Sequence, residues 1–404
     1  MTRKWLIFTE IYGIMKNRRE VILLKKLTVL LLAALTAVQF TVSPVFADEA
    51  SLPTEDPNYV EQSLEEFLKE NPNYQGYPDV ERYTAEPAAD TQEWYEWTQS
   101  GSSWYLYRKY YDGTTIVSTK MINYWYQDSS TGNWYFLKPS TGEMAVGWCQ
   151  VGKYWYYFNA GGIMQIDWYE VDNVWYYFRT GTVVDLYGGP EGGALSGEYF
   201  IPASRGSTTC TQNYYFDYYC KMREWTYPLP TSLVSGISSS NYEPYYVNSC
   251  FAEWRDLDGD GKNEDCHNGL DLRARVPVTV KAAASGTVNK SGYSSGMGNT
   301  VVVTTDIVAP NQNKLIYRNL HLSETSNAIS EGMYITAGTY IGKTGSTDTA
   351  SPHFHFDVNC LNITTSSVSG NKRSTMGQNP AAFFPNVSWK QNNPYGSQYA
   401  GYLD

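Results

Sequence analysis

Pro352-His353-Phe354-His355-Phe356-Asp357-Val358 alternates polar and apolar residues without a break. On an extended strand, residues two apart point to one face. His353, His355 and Asp357 therefore share a face, and Phe354, Phe356 and Val358 share the other, which must be the core. The segments around this stretch read the same way. Val278–Ala282, Thr300–Thr304, Leu315–Leu320, Tyr340–Gly342 and His353–Val358 are short, β-rich and separated by Gly, Ser and Asn. No βαβ alternation appears, so the C-terminal part is expected to be an antiparallel β-sandwich or open barrel. The whole chain is expected to be mainly β.

The chain of 404 residues has only four histidines: His267, His321, His353 and His355. His267-Asn268-Gly269-Leu270-Asp271 puts His267 and Asp271 on one face if extended, with Leu270 and Leu272 opposite and Gly269 leaving space between the polar pair. Two adjacent strands can thus aim two imidazoles and a carboxylate at one point. Two nitrogens and one oxygen suit a catalytic zinc site with a fourth position for water. A proton acceptor is still needed beside that water. His321 and His353 remain for the task.

These segments resemble the lysostaphin/LytM-type zinc metallopeptidases, which cut peptidoglycan peptides. The residues that carry the resemblance, in the family's order, are His267-Asn268-Gly269-Leu270-Asp271, Pro277-Val278, Gly286-Thr287-Val288, Gly298-Asn299-Thr300-Val301, His321-Leu322, Ile341-Gly342-Lys343-Thr344-Gly345-Ser346-Thr347 and Pro352-His353-Phe354-His355-Phe356. The resemblance implies that His267, Asp271 and His355 ligate Zn2+. It also implies that His321 and His353 polarise or deprotonate the attacking water and steady the oxyanion. Two departures border the expected cleft. Arg255 is the only nearby arginine that could replace the family's Phe-Gly-x-Arg, and Asn319 stands where the family often has Tyr.

Upstream, Gly147-Trp148-Cys149-Gln150-Val151-Gly152-Lys153-Tyr154-Trp155-Tyr156-Tyr157-Phe158 recurs at an offset of 20 residues. Trp148, Trp155 and Tyr157 map to Trp168, Trp175 and Tyr177. Trp134-Tyr135-Phe136 and Trp104-Tyr105 are looser copies. Each unit alternates aromatic and polar residues and ends in a Gly-containing turn, so each is expected to be a β-hairpin that stacks on its neighbours. The units resemble the choline- and glucan-binding cell-wall repeats of Gram-positive surface proteins. The resemblance implies that Trp148, Trp155, Tyr157, Trp168, Trp175 and Tyr177 offer cages for wall choline or platforms for glycan.

The remaining stretches frame these two parts. Residues 1–47 read as a secretory signal, with Lys25-Lys26 before a short apolar run and a Val45-Phe46-Ala47 exit. No later stretch is long enough to span a bilayer. Residues 48–93 read as an acidic, Pro-rich linker with one short helix over Val60–Leu68. The repeats occupy 94–187, a linker or stapled insert 188–225, the peptidase domain 226–390 and a tail 391–404. Six cysteines suit an oxidising compartment. Cys250–Cys266 is the preferred pair, because it would staple the acidic loop between them, and Cys210–Cys220 the second. In that loop, Asp256, Asp258 and Asp260, closed by Glu264 or Asp265, mimic a compact Ca2+ loop, though a merely solvated turn fits equally. His267 at the last ligand position excludes an EF-hand.

A formal net charge of -11 argues against nucleic-acid binding. The expectation is a secreted, monomeric, wall-associated zinc endopeptidase acting on peptidoglycan. The alternatives are a non-catalytic wall-binding activator of another hydrolase and a glycan-binding adhesin.

Overall fold

A computed structural model describes residues 53–55, 59–80, 82, 93–201, 212–255, 265–360, 367–369 and 377–390. The signal segment, the candidate calcium residues Asp256, Asp258, Asp260 and Glu264, and Cys210 lie outside the described residues. So does the side chain of Cys266, and with it the Cys250–Cys266 pairing.

The aromatic units fold as hairpins. Tyr124–Gln127 pairs with Trp134–Leu137, Gly147–Val151 with Tyr154–Phe158, and Asp167–Val171 with Val174–Phe178, all antiparallel. The last of these turns through Asp172 and Asn173, both with positive φ (51° and 59°). That is the turn whose twist matches a tight hairpin, and Asp and Asn tolerate it best after Gly. A three-stranded sheet, Glu93–Ser100, Ser103–Tyr111 and Ile116–Lys120, precedes them.

One contact repeats along the stack. The first Trp of each hairpin meets a Tyr of the next edge to face: Trp125 on Tyr156 at 5.0 Å, Trp148 on Tyr176 at 4.8 Å, Trp168 on Tyr214 at 4.7 Å. Each such pair adds about 0.5–1.5 kcal/mol beyond its buried area. The third pair reaches into the segment read above as a linker or stapled insert. That segment instead holds a further sheet, Gly197–Ile201, Gln212–Phe216 and Met222–Arg223. Its turn repeats an earlier one. Asn159 Oδ1 accepts from the Gly161 and Ile163 amides, and Asp217 Oδ1 accepts from the Tyr219 and Lys221 amides. On its other side Tyr215 lies 4.5 Å from the Phe383 ring, in the C-terminal core.

Residues 59–80 of the acidic stretch before the repeats are not a loose spacer either. Its helix α1, Leu64–Glu70, is capped by Ser63, whose side chain accepts from the Glu66 amide. Leu64 is fully buried among Trp148 and Tyr176, its amide donates to the Tyr176 hydroxyl, and the Trp148 indole donates to the Gln62 carbonyl.

The C-terminal part is built on a seven-stranded antiparallel sheet, with no closed barrel. Its order is Tyr242–Ser249, Leu270–Ala274, Phe354–Asn359, Lys314–Leu322, Gly298–Val308, Gly286–Ser294 and Tyr334–Ile335. Phe354, Phe356, Val358, Leu270 and Leu272 all enter its core, as the alternation requires. The register sets Asp271 opposite His355, and His355 opposite Leu320, next to His321. Directly paired residues hold their Cβ atoms about 4.5–5.5 Å apart, so the sheet itself assembles the polar cluster.

Candidate metal centre and catalytic groove

His267 ends a short strand, Asp265–His267, and Asp271 lies in Leu270–Ala274, with the Asn268-Gly269 step between them. Gly269 is required by close approach. A Cβ there would lie 2.7 Å from His355 Nε2 and 2.8 Å from the Phe356 carbonyl oxygen. The absent side chain leaves the room that the His355 ring occupies beside residue 269.

Three atoms converge. His267 Nε2 is 3.2 Å from His355 Nδ1 and 3.2 Å from Asp271 Oδ1, and His355 Nδ1 is 2.9 Å from Asp271 Oδ1. Zinc bonds of about 2.0–2.1 Å at tetrahedral angles set ligand atoms about 3.3 Å apart. The separations fit that ion.

The proton positions fit it too. His267 Nδ1 donates to the Cys250 carbonyl at 2.8 Å, which leaves the lone pair on Nε2. His355 Nε2 donates to Asp357 Oδ2 at 3.0 Å, which leaves the lone pair on Nδ1. Both lone pairs face Asp271.

Asp357 is itself clamped. Arg318 Nε donates to its two oxygens at 2.8 and 3.1 Å, with both residues buried. Burial disfavours the Asp357 charge, and Arg318 overcomes it, so the carboxyl remains below its usual range. Sequence reasoning placed Asp357 on the ligand face but gave it no role, and missed Arg318. The available signal was a lone charge inside the apolar run Leu315-Ile316-Tyr317-Arg318.

His321 and His353 flank the cluster, their rings 5.0 Å apart. His321 has φ 60°, a left-handed conformation rare for a non-glycine residue. This kink breaks the alternation of its strand and re-aims the side chain. Asn319, two residues earlier, is fully buried and its amide donates to the Val301 carbonyl, so it does not border the groove. His321 Nδ1 donates to the Thr347 carbonyl at 2.9 Å, and Thr347 Oγ1 donates to the Leu322 carbonyl. The Gly-x-Thr turn thus orients the imidazole. Burial, against a smaller opposing effect of the Thr347 carbonyl, lowers the His321 pKa to about 4. His353 Nδ1 donates to the Ser351 carbonyl at 2.8 Å, and its Nε2 lies 3.4 Å from Asp271 Oδ1. Both flanking rings therefore present Nε2 lone pairs.

The six aromatic residues proposed for the wall repeats divide by exposure. Trp148, Tyr157 and Tyr177 are buried between hairpins, and Trp155, Trp168 and Trp175 are half-buried. Trp155 stacks on Tyr74 at 5.4 Å. Sequence reasoning gave no binding role to Trp125, Trp134 and Tyr156, which enclose the Arg82 guanidinium.

Residues 265–367 match Peptidase family M23. The C-terminal part of the chain thus carries an M23 peptidase domain of the lysostaphin type, and the match contains all four histidines. The chain is 29% identical over 147 residues to lysostaphin of Staphylococcus staphylolyticus, covering 34% of this chain and 29% of that protein. It spans under a third of its curated relative. Among solved structures, the catalytic domain of the antimicrobial peptidase lysostaphin from Staphylococcus simulans is 23% identical, covers 31% of this chain and 88% of that one, and has a TM-score of 0.25. Choline binding protein F from Streptococcus pneumoniae is 21% identical, covers 39% and 44%, and has a TM-score of 0.23.

Proposed function

We propose that this chain is an exported zinc metalloendopeptidase that hydrolyses peptide bonds of peptidoglycan, with its aromatic hairpins holding it at the cell wall. The observation that carries the reading is the convergence of His267 Nε2, His355 Nδ1 and Asp271 Oδ1 to within 3.2 Å of one another, inside a region that matches an M23 peptidase. A zinc ion held there supplies Lewis acidity to the site.

The protein's own groups do the rest. His321 stays neutral well below pH 6 and presents Nε2 as an acceptor for a proton of the attacking water. His353, on the exposed side of Asp271, offers a second Nε2 toward the same space. It can take a proton from the attacking water and, carrying that proton, steady the developing oxyanion or pass it to the departing amine. Asp357 fixes the His355 ring, and Arg318 keeps Asp357 ionised. The hairpins add local concentration rather than catalytic contacts.

The test is digestion of purified wall by the full chain, with and without a zinc chelator, followed by mass analysis of the new termini. Chelator-sensitive release of peptide termini that vanishes in His355→Ala is the expected result. Cutting that persists after chelation defeats the proposal.

A further inference from the structure

Arg82 sits in an aromatic cage. Its guanidinium carbon is 4.3 Å from the Trp125 ring centre, 5.3 Å from Trp134 and 5.5 Å from Tyr156. All three lie within the about 6 Å over which a ring face attracts a cation. Two rings come from one hairpin and the third from the next, so the cage is a product of the stacking. Arg82 Nη2 also donates to the Glu191 carbonyl at 2.7 Å. Beside it lies a cavity of about 340 Å³ lined by Asp79, Val80, Arg82, Trp125, Tyr156 and Pro190. Room for a small molecule thus adjoins the cage, with a carboxylate on its wall.

Among the described residues, no such cation enters the corresponding space one hairpin later, at Trp148, Trp155 and Tyr176. Leu64 of α1 packs among Trp148 and Tyr176, Phe67 meets Trp155 at 6.1 Å, and Tyr74 stacks on Trp155. The same incoming stretch therefore plugs two successive gaps with different chemistry, apolar in one and cationic in the other. Near the cage the stretch is pinned to the hairpin edge: the Tyr77 amide donates to the Gln150 carbonyl, the Tyr77 carbonyl accepts from the Gly152 amide, and the Tyr74 hydroxyl accepts from the Gln150 amide. Tyr77 and Val80 pack on the hairpin core, and Arg82 enters the cage just past them.

We infer that the Trp125–Trp134–Tyr156 cage is a cation site latched by the chain's own Arg82, and that an external quaternary ammonium engages it only by displacing that arginine. A methylated ammonium suits the site because its charge is spread over apolar groups that tolerate aromatic walls. The inference rests on the reading of the hairpins as a wall-binding array and adds that this gap is closed in the resting chain. An internal ligand lowers the apparent affinity of an external one by the fraction of molecules that are open.

The experiment titrates the full chain and Arg82→Gln with choline chloride, read by tryptophan fluorescence and calorimetry. A parallel titration with phosphatidylcholine vesicles tells a lipid headgroup from a soluble or polymer-borne ammonium. Arg82→Gln is expected to bind choline at least about tenfold more tightly than the parent, and Trp134→Ala in that background is expected to abolish the gain. Binding to vesicles as well as to free choline also supports the latch and names the headgroup as a source. Equal choline affinity in parent and Arg82→Gln overturns it, as does a gain that survives Trp134→Ala. Wall sedimentation on the same samples separates the two claims. Retained wall binding without a choline response sinks the latch alone, and a choline response without wall binding sinks the tether alone.

Discussion

Replacing Gly269 by alanine tests whether the metal site depends on strand-to-strand approach. The new Cβ would lie 2.7 Å from His355 Nε2, 2.8 Å from Cε1 and 2.8 Å from the Phe356 carbonyl oxygen, against an ordinary contact of 3.4 Å or more. The shortfall is about 0.7 Å. The imidazole cannot yield freely, because Nε2 is bonded to Asp357 and Nδ1 faces Asp271. The carbonyl belongs to the paired strand and cannot rotate away. Ligand positions in a metal site tolerate about ±0.2 Å, so a displacement of this size should weaken zinc by at least about tenfold. Overpacking should cost a further ~1–3 kcal/mol in the metal-free protein. A competition titration against a chromophoric chelator reads the first effect, and urea unfolding of the metal-stripped chain reads the second. Zinc affinity within twofold of the parent, with an unchanged urea midpoint, would refute the close-approach argument.

Asp357→Asn leaves a single acceptor oxygen for His355 Nε2, Arg318 and Asn359, turns an NH2 toward one of these donors, and removes the negative charge that faces the buried Arg318. Zinc affinity should fall about 10–100-fold and stability by about 3–5 kcal/mol, read by the same two titrations. In the metal-stripped chain, His321 titrates near 4 rather than 6.5. The unfolded chain therefore takes up its proton first, and stability declines as pH drops from about 6.5 toward 4. His321→Gln should flatten that decline by one proton, seen in urea midpoints measured across the window. Trp168→Ala strips the contacts to Tyr214, Tyr177 and Phe216. It should cost about 3 kcal/mol and open the strands Gly197–Ile201 and Gln212–Phe216 to limited proteolysis, and an unchanged cleavage within them would count against the stacking account.

The strands of the catalytic sheet were legible because one face is core and the other is not. Phe354, Phe356 and Val358 against His355 and Asp357 leave a single register in which nothing apolar is stranded. The facing of Asp271 and His355 followed from that same alternation, whereas His267 ends a separate strand of another sheet. His321 did not follow from it, since a left-handed residue inside a strand leaves no mark in composition. The extra sheet at Gly197–Arg223 was partly visible: Tyr214-Tyr215-Phe216 copies Tyr156-Tyr157-Phe158. It was missed because Glu198 stands where the other units carry Trp, and that substitution is physical. A closing unit receives the ring of Trp168 but has no successor to which it would pass one. The Arg82 cage was illegible for a different reason. It joins residues 43 or more positions apart, through a stretch whose composition resembles a solvated linker.

That closing unit touches two neighbours at once. One strand, Gln212–Phe216, meets Trp168 through Tyr214 and Phe383 through Tyr215, while the next residues bond Val308 through the Tyr218 amide. Alternate side chains of a single β-segment thereby weld the hairpin column to the hydrolytic sheet. Were that column the mooring, as proposed, reach would become a matter of counting: each hairpin inserted or deleted would move the hydrolytic sheet one step along the stack.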